Sequence, residues 1–308
     1  LNITVPKILS ESDILSNNLN ASTETEWDNS VAYTYSDVTP IIRKVSLESD
    51  GITSLFPVMI YKLLANSDIG DYPPDNPTKW SNEGASNRWK MFDKFITSKA
   101  YADGTESTDT GKIVIEINTS LADTISLFGL DATNVTFEVY DSAGILIQTY
   151  SYDLVDNSNI IDILSYFYEE FNNISDCSCD IPMYHYSKTK ITIENTDASS
   201  YPGVGYVIVG NSEYVGITQY GIKTGLISSS TKERNALGNV YLNQGNRSDL
   251  MEIDILIENS LRSRIARILK SIDGKPAVFN GNEENTDYED FLILGFTRDW
   301  DIVLTYSD

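Results

Sequence analysis

Three stretches of this chain alternate apolar and polar residues with a period of two, and that period decides the fold class. In Gly111 to Leu121, Ile113, Ile115 and Ile117 share one face while Glu116 and Asn118 take the other. Val135-Thr136-Phe137-Glu138-Val139-Tyr140 repeats the pattern, and Lys188 to Asn195 repeats it again with Ile191 and Ile193 inward. Successive side chains of a strand point to opposite faces, so this spacing predicts half-buried strands rather than helices. Asp141-Ser142-Ala143-Gly144 predicts a hairpin turn, with Ile145 to Tyr152 as the return strand. Tyr206 to Gly210 is a further apolar strand, and Ile160 to Phe171, with Asp162, Glu169 and Glu170, reads as a short helix. Short strands separated by turns predict a β-sandwich over residues 101–211, entered through a polar linker from Tyr101 to Thr110.

Residues 1–100 read as an N-terminal arm and a small aromatic module. Ser10-Glu11-Ser12-Asp13 opens a short helix, with Ser10 as cap and Asp13 at the third position, and Asn17, Asn18 and Asn20 end it. Such a polar start suits an arm lying on a neighbouring subunit, and equally a simple exposed leader. Trp27, Tyr33 and Tyr35 bring aromatic strand content; Ile41, Val45, Leu47 and then Val58 to Leu64 follow. Three prolines in Tyr72 to Pro77 exclude a helix or a central strand there. Beyond them, Trp89, Phe92, Phe95 and Ile96 recur as one face of a short helix, with turn chemistry from Gly84 and Asn87. Trp80 and Trp89 are expected to clamp a tight loop onto a core, with Arg88 and Lys90 outward. Exposed rings would invite comparison with carbohydrate-binding modules; a module this small also needs large aromatics for its own core, which is the preferred reading.

Residues 212–308 predict a β-rich C-terminal domain with one helix. Gly216, Gly221, Gly225, Gly238 and Gly245 interrupt extended segments, and Ser228 to Arg234 reads as a polar loop long enough to reach a neighbour. Leu250 to Ile257 alternates. Asn259-Ser260 then caps a helix over about 259–271, with Leu261, Ile265, Ile268 and Leu269 in one stripe. Arg262, Arg264, Arg267 and Lys270 lie on its other faces. The acidic run Glu283 to Asp290 offers a counterpart, so Arg262, Arg264 and Arg267 with Glu283, Glu284 and Asp287 form a candidate subunit interface. Pro276 to Phe279, Phe291 to Leu294 and Trp300 to Leu304 predict three closing strands.

The charge balance narrows the partners. Against 45 acidic residues stand 22 basic ones, for a formal charge of −23 over 308 residues. Such a surface repels nucleic acid and anionic membranes, and no basic run offers a nucleic-acid patch. Solvation alone accounts for most of this acidity; in a ring around a DNA path, a negative lumen would also let a duplex pass. No stretch approaches the ~20 apolar residues of a membrane span. The segment Leu1 to Pro6 lacks the pattern of a secretory signal. Cys177 and Cys179 are too close for an unstrained disulfide and read as reduced thiols in a loop.

Catalytic signatures are missing. The single His185 sits in Met183-Tyr184-His185-Tyr186 without a partner signal, and there is no nucleophile elbow, phosphate loop or zinc-binding helix motif. Carboxylate pairs such as Asp299 and Asp301 arise by chance among so many acids. Glu283 to Asp290 lacks the spacing of a Ca²⁺ loop. No catalytic residue, cofactor or metal ligand is therefore assigned, and a non-enzymatic protein is expected.

One stretch carries a resemblance. Trp80-x-x-x-Gly84-Ala85-Ser86-Asn87-Arg88-Trp89-Lys90-Met91-Phe92-Asp93 resembles a signature of tailed-bacteriophage virion proteins encoded among the tail genes. The likeness continues in order through Phe128 to Ala132, Val207 to Gly210, Gly216 to Gly221, Thr231 to Asn239 and the helix before Pro276. At the family's first hairpin, this chain has a longer segment, Val38 to Pro57. The resemblance implies a mainly β fold with a jelly-roll-like sandwich, and a structural tail or tail-tip protein assembled in the host cytoplasm. Its partners would be copies of itself in a ring, and other tail proteins. The alternative is a carbohydrate-binding adhesin module for a host-surface glycan. Exposure separates the two: buried Trp27, Trp80 and Trp89 make the aromatic clamp structural, whereas coplanar solvent-facing rings favour sugar.

Overall fold

The alternating stretches become the middle of a five-stranded antiparallel sheet. A computed structural model describes residues 1–20, 22–49, 53–102, 111–156, 160–168, 172–196, 200–219, 222–234, 240–245, 247–281, 291–298 and 300. In it the strands run in the order Leu146–Asp153, Asn134–Tyr140, Lys188–Glu194, Lys112–Asn118, Ile14–Asn17. Ile191 stands between Ile115 and Phe137, and Ile193 between Ile113 and Val135, so the three central strands bury a largely apolar face. The opposite face carries Lys112–Glu194, Lys188–Glu116 and Lys190–Glu138 ion pairs at 2.7, 3.4 and 2.9 Å. At the predicted hairpin the Asp141 carboxylate accepts from the Ala143 and Ile145 N–H groups at 2.9 and 2.8 Å, and Gly144 has φ +79°.

A second layer completes the sandwich. Thr124–Phe128 pairs with Cys177–Asp180 on one side and Tyr206–Tyr214 on the other, and all five of its residues are buried. Ile125, Leu127, Cys177, Cys179, Val207 and Val209 meet the apolar face of the five-stranded sheet in one core. The thiols thus stand on a strand and face the interior, not a loop as expected. Just past Phe128 the chain around Ile96 lies close against Gly129 and Gly205. A Cβ on Gly205 would stand 2.2 Å from the Ile96 carbonyl oxygen, and one on Gly129 (φ +64°) 2.9 Å from the same atom. Only glycine permits that approach.

The aromatic module is a three-stranded sheet, Ile42–Leu47, Ser54–Leu63 and Trp80–Ala85. Its core is Tyr33, Val45, Tyr61, Leu63, Tyr72 and Trp80, flanked by Trp27, Ile41, Leu55 and Met59. Large rings supply the apolar area that so few residues otherwise lack. Asp13 closes back on Ser10 as the box predicts: its Oδ2 accepts from Ser10 N–H at 3.0 Å and from Ser10 Oγ at 2.8 Å, while Asp13 N–H donates to the Ser10 carbonyl at 3.0 Å. It closes a single 3-10 turn, Glu11–Asp13, after which the chain enters the edge strand Ile14–Asn17 instead of a longer helix.

Contacts divide the chain into Lys7–Gly210 and a unit made of Leu1–Pro6 with Asn211–Asp308. Composition suggested three parts; here the aromatic module and the sandwich are one unit, and the first six residues join the C-terminal part. There Asn2–Pro6 pairs with Ala277–Asn280, which pairs with Leu292–Gly295. Leu1, Ile3, Val215, Ile265, Ile272 and Ala277 form its core. The helix is Arg262–Ser271, preceded by Leu261 and not capped by a side chain from Asn259 or Ser260. A second helix, Ile163–Tyr168, lies within the run read as helical and leaves Ile163, Leu164, Phe167 and Tyr168 exposed. The expected strand from Trp300 to Leu304 falls almost wholly outside the described residues.

Candidate functional site

The signature stretch turns from strand to 3-10 helix at Ser86, and that turn sends its two tryptophans to different cores. Trp80 (1% exposed) ends the module's sheet beside Leu63; its Nε1 donates to Ser67 Oγ at 3.1 Å, and its ring meets Tyr33 edge-on at 5.4 Å. Ala85, Trp89 (7% exposed), Met91 and Phe92 belong to the sandwich core. Trp89 packs edge-on against Phe56 at 5.4 Å. The clamp expected on one core is a staple between two.

The remaining signature residues hold that staple. Gly84 has φ +96°, open to glycine and strained for other residues, and its N–H donates to Asn82 Oδ1 at 2.8 Å. Asn87 Nδ2 donates to the Tyr101 carbonyl at 2.8 Å, and Tyr101 N–H donates to Asn87 Oδ1 at 3.0 Å. Asp93 is buried, which raises its carboxyl pKa; the Phe95 N–H, Ser98 and Lys90 act the other way. Its Oδ1 accepts from Phe95 N–H at 2.8 Å. The helical spacing predicted through Phe95 ends early: Asn87–Phe92 is 3-10, Lys94 has φ +71°, and Phe95 is 63% exposed. Residues three apart eclipse in a 3-10 helix, so Trp89 and Phe92 share a face without Phe95.

Arg88 does not simply point outward. Its guanidinium lies 4.9 Å from the centroid of the Trp89 ring, and its Nε is buried. It lines a cavity of about 200 Å³ with Glu11, Ser22, Lys44, Ser46, Val58, Ser86 and Trp89. Ser86 Oγ and Arg88 Nε have no hydrogen-bond partner among the described residues. Sequence spacing did not bring Lys44 and Glu11 to this place. Lys44 comes from the strand Ile42–Leu47, Glu11 from the 3-10 turn that precedes the sandwich's edge strand.

The proposed interface residues are only partly placed. Arg264 pairs with Glu213 of its own unit, and Arg267 Nε donates to the Ser263 carbonyl at 3.3 Å. Arg262 is exposed on the same helix. Glu283, Glu284 and Asp287 lie outside the described residues. A different surface stands out. The expected polar loop from Ser228 to Arg234 is instead part of a two-stranded ribbon. Lys223–Ser228 pairs with Arg247–Glu252, and Thr231–Arg234 with Val240–Asn243. The strands 223–228, 231–234 and 240–243 are exposed throughout, including Leu226, Ile227, Val240 and Leu242 (68%). Strands with no buried face need no alternation, so their sequence resembles a loop.

Both cysteines are free and buried. Burial pushes the Cys177 thiol up strongly and the Cys179 thiol to about 12, the latter against the Tyr152 hydroxyl that favours its thiolate. His185 stacks edge-on with Tyr186 at 4.1 Å. Among the described residues no three His, Cys, Asp or Glu side chains gather as a metal set, and no helix is long and apolar enough to cross a membrane.

No protein-family model matches the chain, and no curated protein matches it. Among solved structures it is similar to the lectin domain of lectinolysin complexed with Lewis B antigen, at 8% identity and TM-score 0.27, over 42% of this chain and 85% of that one. It is also similar to a fucose-binding module of Streptococcus pneumoniae, at 16% identity and TM-score 0.23, over 36% of this chain and 71% of that one.

Proposed function

We propose that this chain is a non-enzymatic structural protein of a tailed-phage virion, in the tail or at its tip, that assembles with copies of itself. The observation that carries the assembly part is the ribbon from Lys223 to Glu252, whose strands, among the described residues, pair with each other and with no further strand. A two-stranded ribbon is marginal alone, and Leu226, Ile227, Val240 and Leu242 on water mark a surface built to be covered. Its charge suits a second copy. Lys223, Lys232, Arg234 and Arg247 face only Glu233, Asp249 and Glu252 in acid, in a chain with 22 basic and 45 acidic residues. A near-neutral arm meeting an acidic body is a heterologous contact, and such contacts close into rings when the rotation allows. The virion assignment is supported by the signature from Trp80 to Asp93, whose residues are architectural here. Other tail proteins are its further partners, and assembly takes place in the host cytoplasm before the particle is complete.

Native mass spectrometry on the purified chain and on an Ile227→Asp, Leu242→Asp variant tests this. A discrete ring that becomes monomer in the variant, with unchanged circular dichroism and melting, is expected. A wild-type chain that stays monomeric at high concentration, and is missing from purified virions by peptide mass spectrometry, sinks the proposal.

A second reading, carbohydrate binding, is favoured by the polar cavity beside Trp89 and not by the tryptophan rings. Trp80 is buried in the module's core and Trp89 shows only what lines that cavity, so neither ring stands as an open stacking platform.

A further inference from the structure

The cavity beside Trp89 brings together groups that nothing in the fold requires. Ser86 is 3% exposed, yet among the described residues its hydroxyl has no partner, and neither does the buried Nε of Arg88. Unpaired polar atoms are disfavoured inside proteins, because each has given up water without replacement. Both line one cavity of about 200 Å³.

Its charges are equally unusual. Lys44 and Arg88 both line it, and among the described residues neither forms an ion pair, in a chain whose acids outnumber its bases by 45 to 22. With so many carboxylates available, two cations left unpaired at one cavity define an anion-binding corner. The rest of the lining is not suited to a compact multiply charged anion. Glu11 contributes a carboxylate, which already accepts from Ser54 Oγ at 3.0 Å. Ser22, Ser46 and Ser86 contribute hydroxyls, and Val58 and Trp89 give an apolar wall. Ser22 Oγ accepts from Glu24 N–H at 3.1 Å, which leaves its own proton to give. Ser46 Oγ donates to Glu26 at 2.8 Å, which leaves its lone pairs to accept.

We propose that this cavity binds a carboxylated monosaccharide, of the uronic- or sialic-acid type. Its carboxylate lies between Lys44 and Arg88, its hydroxyls meet Glu11, Ser22, Ser46 and Ser86, and its ring carbons lie on Val58 and Trp89. A monoanionic carboxylate takes the cations with less repulsion from Glu11 than a phosphate dianion meets. The volume holds about one sugar ring. This names the ligand class for the carbohydrate reading and is independent of assembly: either can fail alone.

The test is saturation-transfer NMR and calorimetry on the full chain with glucuronate, N-acetylneuraminate, glucose and inorganic phosphate. Saturable binding of one acidic sugar is expected, with glucose and phosphate at least about tenfold weaker. Lys44 is half-buried and outside the cores, so Lys44→Ala should keep the melting temperature and lose about tenfold or more in affinity for the acidic sugar. Ser86→Ala should weaken it less. Arg88→Lys, which keeps the charge and loses the fork, should fall between wild type and Lys44→Ala. Four results overturn the proposal: no saturable binding, phosphate binding tighter than either acidic sugar, equal binding of glucose, or affinity untouched by Lys44→Ala. Equal glucose binding would leave the carbohydrate reading standing while removing the acidic class.

Discussion

The Asn87 carboxamide grips both polar groups of the Tyr101 backbone, donating to its carbonyl at 2.8 Å and accepting from its N–H at 3.0 Å. It thereby ties the 3-10 turn of the signature to the short strand Ala100–Tyr101, which pairs with Gly203–Val204. Asn87→Ala leaves two backbone groups without their partner and should cost about 1–3 kcal/mol in urea unfolding. Asn87→Asp keeps the acceptor and replaces the donor by a charge facing a carbonyl. It should be at least as damaging at neutral pH and partly recover in acid.

Trp80 and Trp89 sit in different cores of one unit. Truncating either to alanine should cost about 3–5 kcal/mol. If the signature couples the two cores, far-UV circular dichroism and tryptophan fluorescence will lose structure together in both variants. A Trp80→Ala variant that melts the aromatic module well before the sandwich would show that the staple does not couple them.

Gly205 and Gly225 make a matched pair for backbone proximity. A Cβ on Gly205 meets the Ile96 carbonyl at 2.2 Å, whereas one on Gly225 meets nothing within 4 Å. Gly205→Ala should destabilise by at least about 1–3 kcal/mol as the Ile96 loop is pushed off the sheet. Gly225→Ala, in the exposed ribbon, should be neutral or gain up to about 1 kcal/mol through the unfolded chain. Denaturant midpoints measured side by side decide this.

The Asp93 carboxyl carries a pH signature of opposite sign to the usual carboxylate. Burial raises its pKa, so between the ordinary carboxylate range and the raised value the folded chain holds a proton that the unfolded chain releases. Its contribution is fully present below the ordinary range and is lost as pH rises through the folded value. Asp93→Asn removes that penalty and keeps an oxygen for the Phe95 N–H. Its stability should exceed wild type at pH 7, and the gain should shrink as pH falls through the raised folded value toward the ordinary carboxylate range, with no further change below it, read from melts in matched buffers.

Buried neutral thiols at Cys177 and Cys179 should resist alkylation at pH 8 in the folded chain and react fully in denaturant. Fast labelling of the native protein would mean that this strand opens on its own.

Much of this was legible wherever a residue's neighbours in sequence are also its neighbours in packing. Ile113, Ile115 and Ile117, the turn at Asp141 and the Ser10–Asp13 box are local patterns, and each stands where it was expected. The two destinations of Trp80 and Trp89 were not legible, because the switch from strand to 3-10 helix at Ser86 is set by what each flank buries. Nor was the cavity: Lys44 and Ser86 reach it through strand pairing between Ile42–Leu47, Ser54–Leu63 and Trp80–Ala85. The ribbon escaped notice for a different reason. Periodicity records burial, and its outer strands bury nothing within the chain.

The division of the signature between two cores also bears on how such a gene can be shuffled. A breakpoint near residue 100, where composition changes, would deliver a sandwich without Ala85, Trp89, Met91 and Phe92 from its own interior. The recipient would need to supply a matching strand, turn and ring pair at once. A graft of the aromatic module alone, ending before Ser86, would carry away its sheet and take Val58 and Ala85 out of the donor sandwich's core. Exchange that preserves both partners must move residues 7–210 together, so the signature acts as a lock on inheritance and not only on structure.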